Sequence, residues 1–281
     1  MIPGVSVGHW TDSEALTGCT AILLPDGATA SGEVRGGAPA TREFALLGLE
    51  RTVEQVDAVV LSGGSAFGLA ACDGAVAWLE EQGRGFATPA GRVPIVVGMS
   101  LFDLAVGSAS VRPGAREGYL ACQAAAEGDP GSGRVGAAIG ATVGKWRGRD
   151  HVRPGGLGVA REQAAGVQVA AVVAVNATGD LRERAGGGDP PAPAPNPLES
   201  TTIGAILTDA RLAKADCLLV AQSGHDGLAR ALEPVHGAFD GDALVAASCG
   251  DREGDREHVR VLAARAVESA VRAALGGRGA G

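Results

Sequence analysis

Residues 186–197 combine Gly186, Gly187 and Gly188 with Pro190, Pro191, Pro193, Pro195 and Pro197. Such a stretch does not easily form helix or strand, because each proline fixes φ and removes a backbone donor. Ser200-Thr201-Thr202-Ile203-Gly204 follows and opens an apolar run to Leu207 that reads as a buried strand. A hydroxyl residue at the start of a buried strand, just after an exposed loop, is well placed to become a new N-terminus if the chain is cut there. A free N-terminal threonine carries its own base, since its α-amine titrates near ~7.7–8.0 within reach of the hydroxyl. The competing reading is that Thr-Thr-Ile is simply good strand-forming sequence. The pentapeptide alone leaves both open.

The rest of the composition narrows the class. With 281 residues the chain is long enough to bury a sizeable core. Its 45 glycines show no collagen period, which points to a globular chain with close backbone packing. The net charge of −8 is spread without a basic stripe, which argues against a nucleic-acid partner. Cys19, Cys72, Cys122, Cys217 and Cys249 form no CxxC pair and read as small buried apolar residues in a reducing compartment. Met1-Ile2-Pro3-Gly4 does not begin a signal peptide, and no apolar run reaches membrane-spanning length. The expectation is a soluble, cytoplasmic protein.

Short apolar runs alternate with Gly-rich turns. Strands are predicted over residues 56–61, 93–97, 166–175 and 203–207. Ser65 is placed to cap a helix running to about Gln82, in which Gly68, Ala71 and Gly74 leave one face nearly flat. Thr208-Asp209 reads as the cap of a helix from Ala210, continuing into residues 227–232 and ended by Pro234. Residues 258–275 form the clearest helix, with Val259, Leu262, Ala266 and Ala270 on one stripe and Gly276 beyond it. Strands and helices mix without a strict βαβ rhythm, so the fold class is α/β or α+β in layers, not a doubly wound parallel sheet.

Several motifs could carry chemistry, and each has a plainer reading. Gly144-Lys145 lacks the upstream glycine of a P-loop, and Phe67 stands where a nucleophile elbow after Ser65 needs glycine. The five histidines are dispersed, so neither a metal nor a cofactor is expected, and His225 reads as structural. In Phe239-Asp240-Gly241-Asp242, two carboxylates flank one glycine, close enough to share a positive group such as an N-terminal amine, or else they form an ordinary solvated turn. Lys145 follows a small-residue run and is either partly buried or reaches out to solvent from a strand end. Asn176 closes an apolar strand, where its amide could donate to an oxyanion or start a turn with Gly179.

Ordered blocks along nearly the whole chain resemble the self-processing aminopeptidases, the family of L-aminopeptidase/D-esterase, β-peptidyl aminopeptidases and nylon-oligomer hydrolases. They include Gly4-Val5-Ser6-Val7-Gly8-His9, Arg35-Gly36-Gly37-Ala38-Pro39, Leu61-Ser62-Gly63-Gly64-Ser65, Leu101-Phe102-Asp103-Leu104 and Val143-Gly144-Lys145. Ala174-Val175-Asn176, Thr201-Thr202-Ile203-Gly204, His225-Asp226-Gly227-Leu228 and Phe239-Asp240-Gly241-Asp242 complete the set. The resemblance implies an αββα four-layer sandwich of the N-terminal-nucleophile kind. It also implies one domain, 1–281, cut into fragments 1–200 and 201–281 that stay together, and a homo-oligomer, a tetramer in the family's manner.

By that resemblance Thr201 is the nucleophile, Asp240 and Asp242 the acidic pair that orients it, and Asn176 the oxyanion donor. Lys145 is then an active-site lysine and Tyr119 a residue lining the pocket. The sequence departs from the family at Ser200, where asparagine or glycine is usual, and a slower or incomplete cut is one consequence. The implied activity is hydrolysis of small peptides, amides or esters without a cofactor. Two rival readings remain: acyl transfer of the ornithine acetyltransferase type, and an uncleaved, inactive homologue that serves as a binding protein.

Overall fold

The computed structural model describes residues 1–182 and 200–276; the Gly/Pro-rich stretch 186–197 lies outside the described residues. Nine strands and four α-helices build the frame. They are β1 (Ser6–Asp12), β2 (Thr17–Leu23), β3 (Thr29–Val34), β4 (Ala58–Ser62) and β5 (Val96–Ser100), then β6 (Gly156–Ala164), β7 (Val167–Asn176), β8 (Thr201–Ala210) and β9 (Ala243–Arg252). The helices are α1 (Ala71–Glu81), α2 (Ala115–Gln123), α3 (Lys214–Ala231) and α4 (Arg256–Ala274).

One sheet runs β5-β4-β2-β1, extended by short strands Thr41–Arg42 beside β5 and Ala126–Glu127 beside β1. The other runs β6-β7-β8-β9-β3. Both contain one parallel pair, β4 with β5 and β8 with β9, each joined by a helical crossover. Ile22, Leu61 and Met99 from the first sheet meet Ile203, Leu207 and Val245 from the second in a core between the sheets. A second core lies under α3 and α4, and a third under α1 and α2. The order of layers is α-β-β-α, as expected.

Strands buried on both faces explain the runs of valine, alanine and isoleucine without polar alternation. In β8, Ile203, Ala205 and Leu207 join the core between the sheets, whereas Ile206 joins the core under the helices. Period two therefore places Thr201 at an inter-sheet position and Thr202 at a helix-side position.

The predicted flat face is real: a Cβ on Gly74 would fall 1.8 Å from the Ala115 carbonyl oxygen, and one on Gly118 the same distance from that of Ala71. The helix after Ser65 begins as a 3₁₀ turn, Ser65–Ala70, and Ser65 itself sits at φ 56° without a side-chain cap bond. Thr208 and Asp209 do not cap a helix at Ala210. They stay in β8, where Thr208 pairs with Val169 and Ser248, and the Asp209 carboxylate accepts the Gln168 N–H at 2.7 Å. One helix, Lys214–Ala231, then replaces the two predicted segments. The predicted strand at 93–97 is split between Gly91–Val93, in a small hairpin, and β5.

Candidate active site

The junction at Ser200 is folded into the sheet. Ser200 is 1% exposed and bridges in parallel to Asp240, while its carbonyl oxygen accepts the Gly241 N–H at 2.9 Å. The Thr201 hydroxyl donates to the same oxygen at 2.5 Å. A Cβ on Gly241 would stand 2.6 Å from Thr201 Oγ1, so only glycine lets the 240–242 turn wrap the hydroxyl this closely. Arg35-Gly36-Gly37-Ala38 clamps that turn from outside. Arg35 and Gly36 N–H donate to the Asp242 carbonyl, and Ala38 N–H donates to that of Asp240. A Cβ on Gly36 would sit 2.3 Å from the Asp240 carbonyl oxygen, which explains the glycine there.

Asp240 and Asp242 do not form a solvated turn; both are buried and fully hydrogen-bonded. Asp240 accepts the Thr178 hydroxyl at 2.6 Å on one oxygen and the Gly237 N–H at 2.6 Å on the other. Asp242 accepts the Thr202 N–H at 2.7 Å on Oδ1, and both the His236 N–H at 3.1 Å and His236 Nδ1 at 2.8 Å on Oδ2. Burial, followed by the charge of Asp242, pushes the Asp240 carboxyl above the ordinary aspartate range.

Asn176 ends β7 directly opposite Thr201 in the antiparallel register. Its orientation is settled by its partners. Oδ1 accepts from Lys145 Nζ at 2.8 Å and from the Thr142 N–H at 2.9 Å, while Nδ2 donates to the Phe102 carbonyl at 3.0 Å. Lys145 is thus buried and turned inward, not toward solvent. Ser200, Thr201, Asn176, Lys145, Asp240 and Asp242 form one continuous group. Tyr119 stands apart on α2, where its hydroxyl donates to Glu81 at 2.7 Å, and no described contact joins it to that group.

Sequence reasoning missed His236, Thr178, Gly241 and Phe102. His236 and Thr178 sit in polar turns with no periodic signal, and their partners lie far along the chain or across a turn. Gly241 carried a signal, because a glycine between two acidic residues is what a close backbone approach requires. His225, read from the sequence as structural, is buried with its Nε2 3.0 Å from the Glu33 carbonyl oxygen. Among the described residues no group of three or more His, Cys, Asp or Glu side chains is arranged to hold a metal.

The four-layer α-β-β-α sandwich is the architecture of the Ntn hydrolase fold. The structure of L-aminopeptidase D-Ala-esterase/amidase from Ochrobactrum anthropi, a variant of the Ntn hydrolase fold, matches with a TM-score of 0.75 at 19% identity, covering 98% of this chain and 84% of that one. The β-aminopeptidase of a Burkholderia species matches with a TM-score of 0.73 at 24% identity over the same shares. At these identities the likeness establishes the fold. The chain belongs to peptidase family S58, whose model matches residues 2–277. An uncharacterized aminopeptidase of Mycobacterium leprae is 42% identical, over 89% of this chain and 77% of that protein. The 6-aminohexanoate-oligomer endohydrolase of a Kocuria species is 31% identical, over 87% and 72%. The protein is therefore an enzyme of the peptidase and hydrolase class.

Proposed function

We propose that this chain is a self-cleaving aminopeptidase or amidohydrolase whose nucleophile, Thr201, is freed by cleavage of the Ser200–Thr201 bond. The observation that carries this reading is the contact of Thr201 Oγ1 with the Ser200 carbonyl, 2.5 Å from its oxygen, in a peptide held by the Gly241 N–H. For cleavage, Oγ1 attacks the Ser200 carbonyl carbon and the oxygen gains charge toward the Gly241 N–H. The C–N bond breaks as the Thr201 nitrogen takes the proton given up by the hydroxyl, leaving an ester between Ser200 and Thr201 Oγ1. Water then hydrolyses the resulting ester, leaving a carboxylate on Ser200 and a free amine on Thr201.

In the two-fragment enzyme, residues 1–200 and 201–281 remain one domain because β8 lies between β7 and β9. The Thr201 amine takes the proton of its own hydroxyl, and Asp242 and Asp240 hold that amine in place. The second hydrogen of Asn176 Nδ2 is directed at the oxyanion of a substrate carbonyl. Lys145, on the far side of the same amide, draws electron density to Oδ1 and strengthens Nδ2 as a donor. Losing one such donor typically costs ~10²–10³ in rate. The substrates are small peptides, amides or esters, in line with relatives named aminopeptidase, esterase/amidase and oligomer endohydrolase, and the working form is a homo-oligomer, a tetramer by resemblance.

Intact mass under denaturing conditions tests the cut. Two species, 1–200 and 201–281, support it, and Thr201→Ala should give one species with no hydrolysis of an amino-acid anilide. A fully active Thr201→Ala protein would sink the proposal.

A further inference from the structure

Behind the strand pair β8–β9, on the helix side, Asp242 is the first of a line of groups that ends on β3. Its Oδ2 meets His236 Nδ1 at 2.8 Å. The His236 ring meets the His225 ring edge to face, with centroids 4.9 Å apart, and His225 Nε2 meets the Glu33 carbonyl oxygen at 3.0 Å. His236 occupies φ 60°, a left-handed conformation that few residue types adopt without strain.

The partners fix both tautomers. A carbonyl oxygen only accepts, so His225 carries its hydrogen on Nε2. The Asp242 carboxylate only accepts, so His236 carries its hydrogen on Nδ1. The remaining ring nitrogens, His225 Nδ1 and His236 Nε2, are out of solvent and have no hydrogen-bond partner among the described residues. A second proton on His225 would be a buried N–H with no acceptor, which costs more than a buried lone pair. Burial also pushes the His225 imidazole down to about 4, consistent with a neutral ring.

We propose that His236 is a positioning residue: through an Nδ1–H donor braced by His225, it holds the Asp242 carboxylate in the rotamer that receives the amine of Thr201. Oδ1 is already held by the Thr202 N–H, so the His236 backbone and ring complete the fixation of the carboxylate at Oδ2. The geometry of the carboxylate that meets the amine is thereby locked. This role rests on the nucleophile reading of Thr201.

Two substitutions that tolerate positive φ separate the donor from the backbone. Asparagine adopts the left-handed region readily and can place an amide N–H where Nδ1–H stands, whereas glycine adopts it but offers no side chain. The measurement is kcat and KM of the full-length protein on an amino-acid p-nitroanilide, normalised to the self-cleaved fraction by intact mass. His236→Gly is expected to lower kcat roughly 10–100-fold, the rate equivalent of one hydrogen bond to a charged group, with KM nearly unchanged. His236→Asn is expected to restore kcat to within about threefold of the parent, since a positioned donor is all that is asked of it.

Wild-type kcat in His236→Gly, or an equal loss in His236→Asn and His236→Gly, overturns the proposal. If His236→Gly does not fold, His236→Asp replaces it, with the shape of asparagine but an acceptor facing Asp242. Folded His236→Asp matching His236→Asn also overturns it. Thr201→Ala in the same assay keeps the claims apart. Activity there overturns the nucleophile, whereas an inactive Thr201→Ala beside a fully active His236→Gly overturns the positioning role alone.

Discussion

The hydroxyl of Thr201 donates to the carbonyl oxygen of Ser200, and the two residues share that oxygen with the Gly241 N–H. The Ser200 carbonyl, a hydroxyl and a backbone donor therefore meet where the start of β8 is bound by the separate 240–242 turn. The backbone of Ser200 is fixed on both sides, its carbonyl by the Gly241 N–H and its own N–H by the Phe239 carbonyl.

Gly241→Ala should block this assembly. The added Cβ would sit 2.6 Å from Thr201 Oγ1 and 2.8 Å from the Ala38 carbonyl oxygen, so either the hydroxyl or the clamp must move. Misplacement by about 1 Å at a reacting group costs about 10²-fold in rate. A time course of intact mass after expression should show slow or absent conversion to the two fragments. Conversion at the parental rate would mean that Gly241 does not govern the approach.

Asp240 gives a pH signature. Its folded-state pKa is raised, by burial first and by Asp242 second. A raised acid contributes stability that is fully present below the ordinary aspartate value of about 3.9 and is lost as pH rises through the raised folded value. Asp240→Asn cannot ionise, so it escapes that loss. In an uncleaved Thr201→Ala background, the Tm of Asp240→Asn relative to its parent should climb as pH rises from about 4 to about 8. A constant difference across that range would show that the shift is absent.

The parts of this molecule that were legible in the sequence are those with local or periodic signals. The strand from Thr201, the helix over Arg256–Ala274 and the close helix contact through Gly74 follow from residue type and spacing alone. The acidic pair was visible as a motif, but whether it was buried depended on Thr178, Gly237 and His236, which the tertiary fold brings in. Thr208-Asp209 misled because the same side chains that cap helices also bond across strands. In β8 the sheet's long-range partners, Val169 and Ser248, outweigh the local cap.

Lys214 shows the same dependence on distant partners. This lysine opens α3, yet its side chain is 7% exposed, with Nζ donating to the carbonyls of Leu46, Arg51 and Val53 at 2.7–3.1 Å. It ties the C-terminal helices to a loop that the proposed cut would leave in the other fragment. Lys214→Met keeps the length but removes all three donors, leaving carbonyls unsatisfied at a cost of roughly 2–4 kcal/mol. Chemical denaturation of the Thr201→Ala chain should show this as a lower midpoint with an unchanged slope. An unchanged midpoint would mean that water replaces the ammonium at no cost.

Tyr119 sets the resemblance against the geometry. By resemblance it lines the substrate pocket, but here its hydroxyl bonds to Glu81 on the outer helix pair, and the residue that meets Asn176 is Phe102. Glu81 lies at the end of α1, and the contact is solvent-exposed, so it contributes little to stability. Tyr119→Phe removes only that hydroxyl. If the geometry is the guide, kcat and KM on an amino-acid anilide should stay within roughly twofold of the parent, with a Tm loss of no more than a few degrees. A tenfold or larger rise in KM would instead place Tyr119 against the substrate, reached from a neighbouring copy or after a movement of α2.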